Sequence, residues 1–154
     1  MRKTLPDYIT KPLNLLTYEE WELLCDRCGL CCIHKVEDEK GHLYLTNVAC
    51  KFLDIENIHC QCYGERAVRQ SLCQSLSFNN ISQNLSWLPQ TCAYRRRYEN
   101  KLLPDWHPLI TNDYGSVQKA GLKIQDKVVS ENLFPMIDWE KHIVPDNYFE
   151  KDLH

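Results

Sequence analysis

Nine cysteines, all of them between residues 25 and 92, constrain the folding of this chain more than any other feature of its sequence. Cysteine-rich segments of this size are usually either disulfide scaffolds or metal sites, and the redox compartment decides between the two. The first 20 residues are interrupted by charges and by two prolines, so they lack the apolar core of a signal peptide. We therefore expect a cytoplasmic protein with reduced thiols. An odd number of thiols cannot pair completely, which also favours metal or redox chemistry over disulfides.

The spacing of these cysteines is typical of thiolate ligands, because a C-x2-C unit bends the backbone so that two sulfurs converge on one soft cation. Cys25, Cys28 and Cys31 form two overlapping units of this kind. The adjacent Cys31 and Cys32 point apart in an extended chain, so they are better suited to neighbouring centres than to one ion. The alternative is that the cysteines are ordinary buried hydrophobic residues without a chemical role. The predicted metal ligands are Cys25, Cys28, Cys31, Cys32, Cys50, Cys60, Cys62, Cys73 and Cys92.

Several common cysteine motifs do not fit this spacing. A zinc ribbon needs a second C-x2-C about 15–20 residues after the first, where only Cys50 occurs. A bacterial ferredoxin needs a fourth cysteine that follows the third after three residues and precedes proline, whereas Cys32 follows Cys31 directly. The pattern therefore predicts zinc or iron as the cofactor, an iron–sulfur cluster included, without fixing which of them is bound.

A few charged and histidine side chains near the cysteines are candidates for a supporting role. His34 and His59 each lie beside a cysteine and can supply a nitrogen ligand or a hydrogen bond to a thiolate. Arg95, Arg96 and Arg97 can bind phosphate, or can offset the negative charge of a thiolate site through Cys92. A solvated helix face is the default interpretation of the three, and Arg95 and Arg96 are the candidates for supporting the metal site. His107, next to Pro108, is expected to be a structural or capping histidine.

Composition limits the class of protein. The chain has 154 residues, of which 44% are hydrophobic and 25% charged, as in an ordinary globular domain. The formal net charge is −3, with 18 basic and 21 acidic residues, so we expect no nucleic-acid partner and no anionic membrane partner. No stretch approaches the roughly 20 apolar residues of a membrane span. An unknown protein remains a possible partner.

The local pattern predicts a small, single α+β domain that is loop-rich and metal-organised in its N-terminal half, with a few short helices and a short β-ribbon. Thr17 and Glu20 form a capping box for a short helix that leads to Cys25, and Gly29 permits a tight turn. The expected boundaries are an arm over residues 1–16, a cysteine-cluster domain over 17–145 and a tail over 146–154.

Three further elements follow from turn residues and periodicity. A hairpin is predicted around residues 34–46, and the clearest helix over Gln90–Leu102, with Pro89 at its first position and Tyr94, Tyr98 and Leu102 on one face. Residues 121–130 look like a strand. The arm over residues 1–16 is expected to be extended, because Pro6 and Pro12 separate short polar runs.

The chain resembles the YcgN/YkgJ-type CxxCxxCC cysteine-cluster family, and its YcgN-like branch in particular. The matching blocks occur in the family's order and are CDRCGLCCIHK (25–35), LTNVAC (45–50), Cys60–Cys62, Cys73, WLPQTCAYR (87–95) and LPDWHPLIT (103–111). The resemblance covers about residues 17–145 and includes all nine cysteines. It implies a bacterial cytosolic protein with a zinc- or iron-chelating domain, and it implies no particular reaction.

Three functions are consistent with these observations. The first is a metal-cluster protein that binds a partner, the second is an iron–sulfur-dependent redox or modification enzyme, and the third is metal storage or delivery. The sequence has no Gly-rich phosphate loop, no nucleophile elbow and no H-E-x-x-H helix. We therefore favour a binding protein over an enzyme.

Overall fold

The computed structural model describes residues 7–149 except Ser71, Lys123 and Phe134. Residues 1–6 of the predicted arm and residues 150–154 of the predicted tail lie outside this part. The chain forms two compact units, each built from two stretches of sequence: Met1–Arg27 with Leu76–Ala120, and Cys28–Ser75 with Gly121–His154. We call them unit 1 and unit 2. The domain boundaries predicted at residues 16 and 145 stay a prediction.

All helices and strands are short, and the fold class is α+β as predicted. The α-helices are α1 (Tyr18–Leu23), α2 (Arg66–Arg69), α3 (Ile81–Asn84), α4 (Ala93–Tyr98), α5 (Pro108–Thr111) and α6 (Ser116–Lys119). The strands are β1 (Ile33–Glu37), β2 (Leu43–Ala49), β3 (Leu53–Asp54), β4 (His59–Cys60) and β5 (Val129–Ser130). Turns of 3-10 helix cover Asp7–Ile9, Leu13–Leu15, Leu30–Cys32, Tyr63–Glu65, Glu131–Leu133 and Met136–His142.

Unit 1 is organised by an aromatic and aliphatic core. The ring of Trp21 stacks on that of Tyr94 with centroids 4.6 Å apart, and the Tyr94 hydroxyl donates a hydrogen bond to the Trp21 carbonyl at 2.9 Å. Leu24 and Ile81 are completely buried beside them. Helix α1 begins as predicted, because the Thr17 side chain accepts a hydrogen bond from the Glu20 backbone N–H at 3.2 Å.

The arm is not extended where the structure describes it. Residues 7–15 form two 3-10 turns, and the side chains of Ile9 and Leu13 are buried in the core of unit 1. Pro12 lies between the two turns, and the turns allow the apolar side chains of Ile9 and Leu13 to be buried. The prediction of an extended arm was therefore wrong for residues 7–15.

The helix predicted over Gln90–Leu102 is much shorter. Helix α4 begins after Cys92, which is its N-cap, so Pro89 lies in the preceding turn and not at the first helical position. It ends because Asn100 adopts a left-handed conformation (φ 58°) and the Lys101 N–H bonds back to the Arg96 carbonyl at 2.7 Å. This is a Schellman-type C-terminus. Leu102 is consequently exposed and does not continue the face of Tyr94.

Unit 2 contains a three-stranded sheet in the order β1-β2-β5 and a two-stranded β3-β4 ribbon. Strands β1 and β2 form the predicted antiparallel hairpin, with an irregularity in register between Ile33 and Lys35. Strand β5 runs parallel to β2 and pairs Val129 with Val48. The predicted strand over residues 121–130 is reduced to these last two residues, since a turn bonded from Lys127 N to Ile124 O interrupts it.

Candidate metal centre

The structure places seven of the nine cysteines in unit 2 and two in unit 1. None of the nine, all of which belong to the described residues, forms a disulfide bond. Cys25 and Cys92 both pack against the hydrophobic core of unit 1. We call the others the seven-cysteine group: Cys28, Cys31, Cys32, Cys50, Cys60, Cys62 and Cys73.

Cys60 and Cys62 form a close sulfur pair. Cys60 ends β4 and is paired with Leu53 of β3, and the Gln61 N–H is held by the Phe52 carbonyl at 2.8 Å. The ribbon and this bond hold the backbone at Cys60 and Gln61, and Cys62 follows as the N-cap of the 3-10 helix Tyr63–Glu65. The two Sγ atoms lie 3.8 Å apart. Two sulfurs bound tetrahedrally to one zinc at the usual bond length would be about 3.8 Å apart, so the pair matches the spacing of two ligands of a single ion.

A second part of the group is shaped by the turn at Gly29. This glycine has a left-handed φ of 82°, and a Cβ atom in its place would lie 2.7 Å from side-chain carbons of both Ile58 and Ile124. The turn leads into the 3-10 helix that carries Cys31 and Cys32. The Cys50 N–H then donates to the Cys32 carbonyl at 2.8 Å, which brings the end of β2 to this turn.

The thiols of the seven-cysteine group affect one another's protonation. The pKa of Cys32 is raised far above its usual value, first by its hydrogen bond with the Cys31 thiol, then by burial and by the negative charge of Cys31, Cys50 and Cys60. The pKa of Cys73 is raised by burial and by Cys31, Cys50 and Cys60. Thiolates that repel one another in this way would be stabilised by a shared cation.

Positive side chains of unit 2 oppose part of this repulsion. Burial and the neighbouring Cys60 raise the pKa of Cys62, and the positive charge of Arg69 opposes this rise. In the same way, Arg66 opposes the rise that burial causes in the pKa of Cys73. Burial lowers the pKa of Lys35, while the negative charges of nearby thiolates, Cys31 first, raise it. The sequence analysis did not predict that any of these three basic side chains acts on the cysteines.

The arginines that the sequence predicts to offset thiolate charge make structural contacts in unit 1. Arg95 bonds the Glu99 carboxylate at 3.0 Å and the Leu88 carbonyl at 2.7 Å. Arg96 Nε donates to the Leu102 carbonyl at 2.5 Å. A role in balancing thiolate charge stays a prediction for both.

His34, Cys50 and Glu131 form a second group of potential ligands, which shares Cys50 with the seven-cysteine group. Their ligand atoms all lie within 4.8 Å of one another. The parallel pairing of β5 with β2 explains this, because Cys50 and Glu131 follow the paired residues Ala49 and Ser130. The side chain of Gln70 donates from Nε2 to Glu131 Oε1 at 3.0 Å and to Cys50 Sγ at 3.5 Å.

His34 is held firmly in this group. Its ring stacks on Trp139 with centroids 4.1 Å apart and an interplanar angle of 18°. Its Nε2 is buried and lies 3.3 Å from Glu131 Oε1, but the two atoms are not aligned for a hydrogen bond. Burial lowers the pKa of His34, and the nearby Glu131 carboxylate opposes that shift without cancelling it. The imidazole is therefore mostly neutral at pH 7 and can act as a metal ligand.

The other two histidines with predicted roles lie elsewhere. His59 is in β4 with a side chain 63% exposed, 3.9 Å from the Asp54 carboxylate. His107 is fully buried in unit 1, where Nδ1 accepts from the Leu109 N–H at 3.0 Å and caps α5. Its Nε2 bonds the Leu24 carbonyl at 2.8 Å. The prediction of a structural, capping histidine is confirmed for His107.

Glu131 and Gln70 were missed by sequence reasoning. Glu131 is one of 21 acidic residues and lies 81 positions after Cys50, so no local spacing connects the two. Only the pairing of β5 with β2, which are short and far apart in sequence, brings them together. Gln70 ends helix α2 as its C-cap, in a segment with weak periodicity.

Nine free cysteines, seven of them in one unit of a small α+β fold, make this a cysteine-rich protein. The chain belongs to the UPF0260 family. It is 44% identical to a UPF0260 protein of Vibrio campbellii over 90% of this chain and 91% of the relative, and 46% identical to one of Shewanella woodyi over 87% and 90%. A Marinobacter nauticus UPF0260 protein is 40% identical over 91% and 95%. The names of these relatives state no activity, cofactor or partner.

Two other comparisons gave no match. No protein-family model matches the chain, and no solved structure is significantly similar to it. Among the described residues, no helix has the length and apolar character needed to cross a membrane.

Proposed function

We propose that this protein is a cytoplasmic metal-binding protein in which thiolates of the seven-cysteine group hold zinc or an iron–sulfur centre. The observation that carries this proposal is the 3.8 Å separation of the Cys60 and Cys62 sulfurs, where the β3-β4 ribbon holds Cys60 and the next 3-10 helix begins after Cys62. Two thiolates at this distance suit one ion. In a four-iron cluster, by contrast, each iron normally takes a single cysteine.

The donor set of unit 2 fits such a centre. Zinc and iron–sulfur clusters are both bound by soft thiolates, and four of them complete either kind of site. The mutual repulsion among Cys32, Cys50 and Cys60 is the electrostatic condition that a bound cation relieves. The resemblance to the CxxCxxCC family, whose pattern includes all nine cysteines, supports the same conclusion.

A structural role follows from the energies involved. A thiolate zinc site contributes roughly 10–16 kcal/mol of binding free energy at neutral pH. The net stability of a domain is roughly 5–15 kcal/mol. Unit 2 has two small sheets and short helices, so we propose that metal organises it. The near-neutral charge of the chain supports a protein as its partner more than a nucleic acid.

Metal and acid-labile sulfide analysis of protein purified without oxygen tests this proposal. About one or two tightly bound zinc ions per chain, in a colourless sample, would support a structural zinc protein. A brown sample with iron and matching sulfide would support the iron–sulfur form and bring the redox or modification enzyme forward. Weakly held metal in variable excess would favour storage or delivery. Thiols that titrate freely in a metal-free, folded protein would contradict all three.

A further inference from the structure

We propose that His34, Cys50 and Glu131 form a second metal site of mixed donors, distinct from a purely thiolate centre, which binds a single divalent transition ion such as Zn²⁺ or Fe²⁺. The inference rests on the proposed function in so far as the protein handles metal ions at all. It differs in assigning Cys50 to a nitrogen–sulfur–oxygen site and in naming two ligands, His34 and Glu131, that are not cysteines.

Geometry supports this site directly. His34 Nε2 and Glu131 Oε1 lie 3.3 Å apart. A nitrogen and an oxygen bound tetrahedrally to one zinc would be about 3.3 Å apart at the usual bond lengths. All three ligand atoms lie within 4.8 Å of one another, so a shift of no more than about 1 Å at Cys50 completes the triangle.

The buried nitrogen of His34 is a second observation in favour of a cation at this position. Its side chain is only 10% exposed, and Nε2 faces the Glu131 carboxylate without a hydrogen bond. A buried nitrogen of this kind costs free energy unless it finds a partner. A metal ion between Nε2 and the carboxylate satisfies both atoms at once.

The surroundings of the three ligands resemble those that support metal ligands elsewhere. The Glu131 carboxylate accepts hydrogen bonds from the Lys51 backbone N–H at 2.7 Å and from Gln70 at 3.0 Å. Gln70 also donates to Cys50 Sγ. The ring of Trp139 fixes the plane of the imidazole. Contacts of this kind orient metal ligands and are a regular part of metal sites.

Three protein ligands leave one tetrahedral position for water or a small exogenous ligand. Structural zinc sites are normally closed by four protein ligands, whereas open sites exchange their fourth ligand. The mixed-donor site is therefore the place where this chain can bind a small anion or activate water, while the remaining thiolates of unit 2 serve a closed centre.

The test is a cobalt titration of the full chain, purified and reduced without oxygen and stripped by a chelator. The variant Glu131→Gln keeps the size and the acceptor oxygen of the side chain but loses the ligand charge. We expect Glu131→Gln to weaken one equivalent of Co²⁺ at least about tenfold while the remaining equivalents are unchanged. Glu39→Gln, at an exposed position in the β1-β2 turn, is the matched control and should titrate like the unmodified chain.

The Cys60→Ser variant separates this inference from the proposed function. Both proposals are supported if each variant loses one cobalt equivalent and retains the equivalent that the other variant loses. If Glu131→Gln titrates like the unmodified chain while Cys60→Ser loses one equivalent, the mixed site is wrong and the thiolate centre stands. If neither variant loses cobalt, both proposals are wrong. If only Glu131→Gln loses cobalt, the thiolate centre is wrong and the mixed site stands. An unmodified chain that binds no cobalt contradicts both.

A measurement on the unmodified chain covers the case in which Glu131→Gln does not fold. X-ray absorption of the zinc-loaded protein should show nitrogen or oxygen donors beside sulfur in the average coordination shell. A shell of sulfur alone at full loading would overturn the mixed-donor site.

Discussion

The sulfur atoms of Cys60 and Cys62 lie 3.8 Å apart, between the end of β4 at Cys60 and the 3-10 helix that Cys62 caps. The separation matches that of two ligands on one tetrahedral ion. Burial and the neighbouring Cys60 both raise the pKa of Cys62. The fold therefore holds together two thiols that a cation would stabilise as thiolates.

Replacing either cysteine of this pair should remove metal. We expect Cys60→Ser and Cys62→Ser each to lower the tightly bound metal by about one equivalent per chain, since a hydroxyl is a poor ligand for a soft ion. Elemental analysis of the two variants after anaerobic purification measures this. Val68→Ser is the control because Val68 is 89% exposed in the same unit. Full metal content in both cysteine variants would contradict the assignment.

The turn at Gly29 should not tolerate a side chain. Alanine there would adopt a left-handed φ and would meet Ile58 and Ile124 at 2.7 Å, so we expect a loss of about 2–4 kcal/mol in the free energy of unfolding. Gly64→Ala is the matched control, since a Cβ atom at that position would have no neighbour within 4 Å and its φ is ordinary. Urea denaturation of both variants measures the difference. Equal stability of the two would show that the turn is not constrained as described.

His107 should be important for stability and not for metal binding. Its replacement by alanine removes the cap of α5 and leaves the buried Leu24 carbonyl without its partner. We expect a cost of about 2–4 kcal/mol, from a lost cap together with an unsatisfied carbonyl. His107→Asn retains an N-cap acceptor and should cost less. Metal content per folded chain should be unchanged in both, and a specific loss of metal would contradict the structural role.

The same histidine predicts a pH dependence. Burial lowers the pKa of His107 in the folded state below its ordinary value near 6.5, so the unfolded state binds more protons as the pH falls. The stabilising contribution of the neutral imidazole is complete above pH ~6.5. It is lost below that value at up to about 1.4 kcal/mol per pH unit, until the lowered pKa is reached.

Comparison with His107→Asn isolates this effect from the titration of the thiols, which both proteins share. The stability advantage of the unmodified chain over His107→Asn, measured by urea denaturation, should be smaller at about pH 5.5 than at about pH 7.5. An advantage that is constant or grows on acidification would contradict the buried neutral histidine.

Local features of the fold could be predicted from the sequence because they depend on a few neighbouring residues. Thr17 caps α1, the hairpin around residues 34–46 forms, and Gly29 takes a positive φ, each for a reason visible within a few positions. The predicted α4 is too long because the sequence alone does not show that Asn100 adopts the left-handed conformation that ends the helix. The prediction of an extended arm was wrong because no neighbouring residue indicates that Ile9 and Leu13 are buried by residues far away in the chain.

The candidate site was only partly visible for the same reason. Cysteine spacing identifies the candidate donor atoms, but the seven-cysteine group is assembled by contacts such as that of Cys50 N with the Cys32 carbonyl. Glu131 joins His34 through the parallel pairing of two residues of β5 with β2. A pairing this short carries no sequence signal of its own.

A crystal structure of protein purified without oxygen would decide whether the seven-cysteine group holds a metal. Anomalous diffraction should be recorded at the absorption edge of the metal that elemental analysis identifies. We predict an anomalous peak bonded to Cys60 Sγ and Cys62 Sγ, with further thiolates of unit 2 completing the shell. Ordered sulfurs at these positions with no anomalous peak, or a disulfide between cysteines of the group, would contradict the proposed thiolate centre.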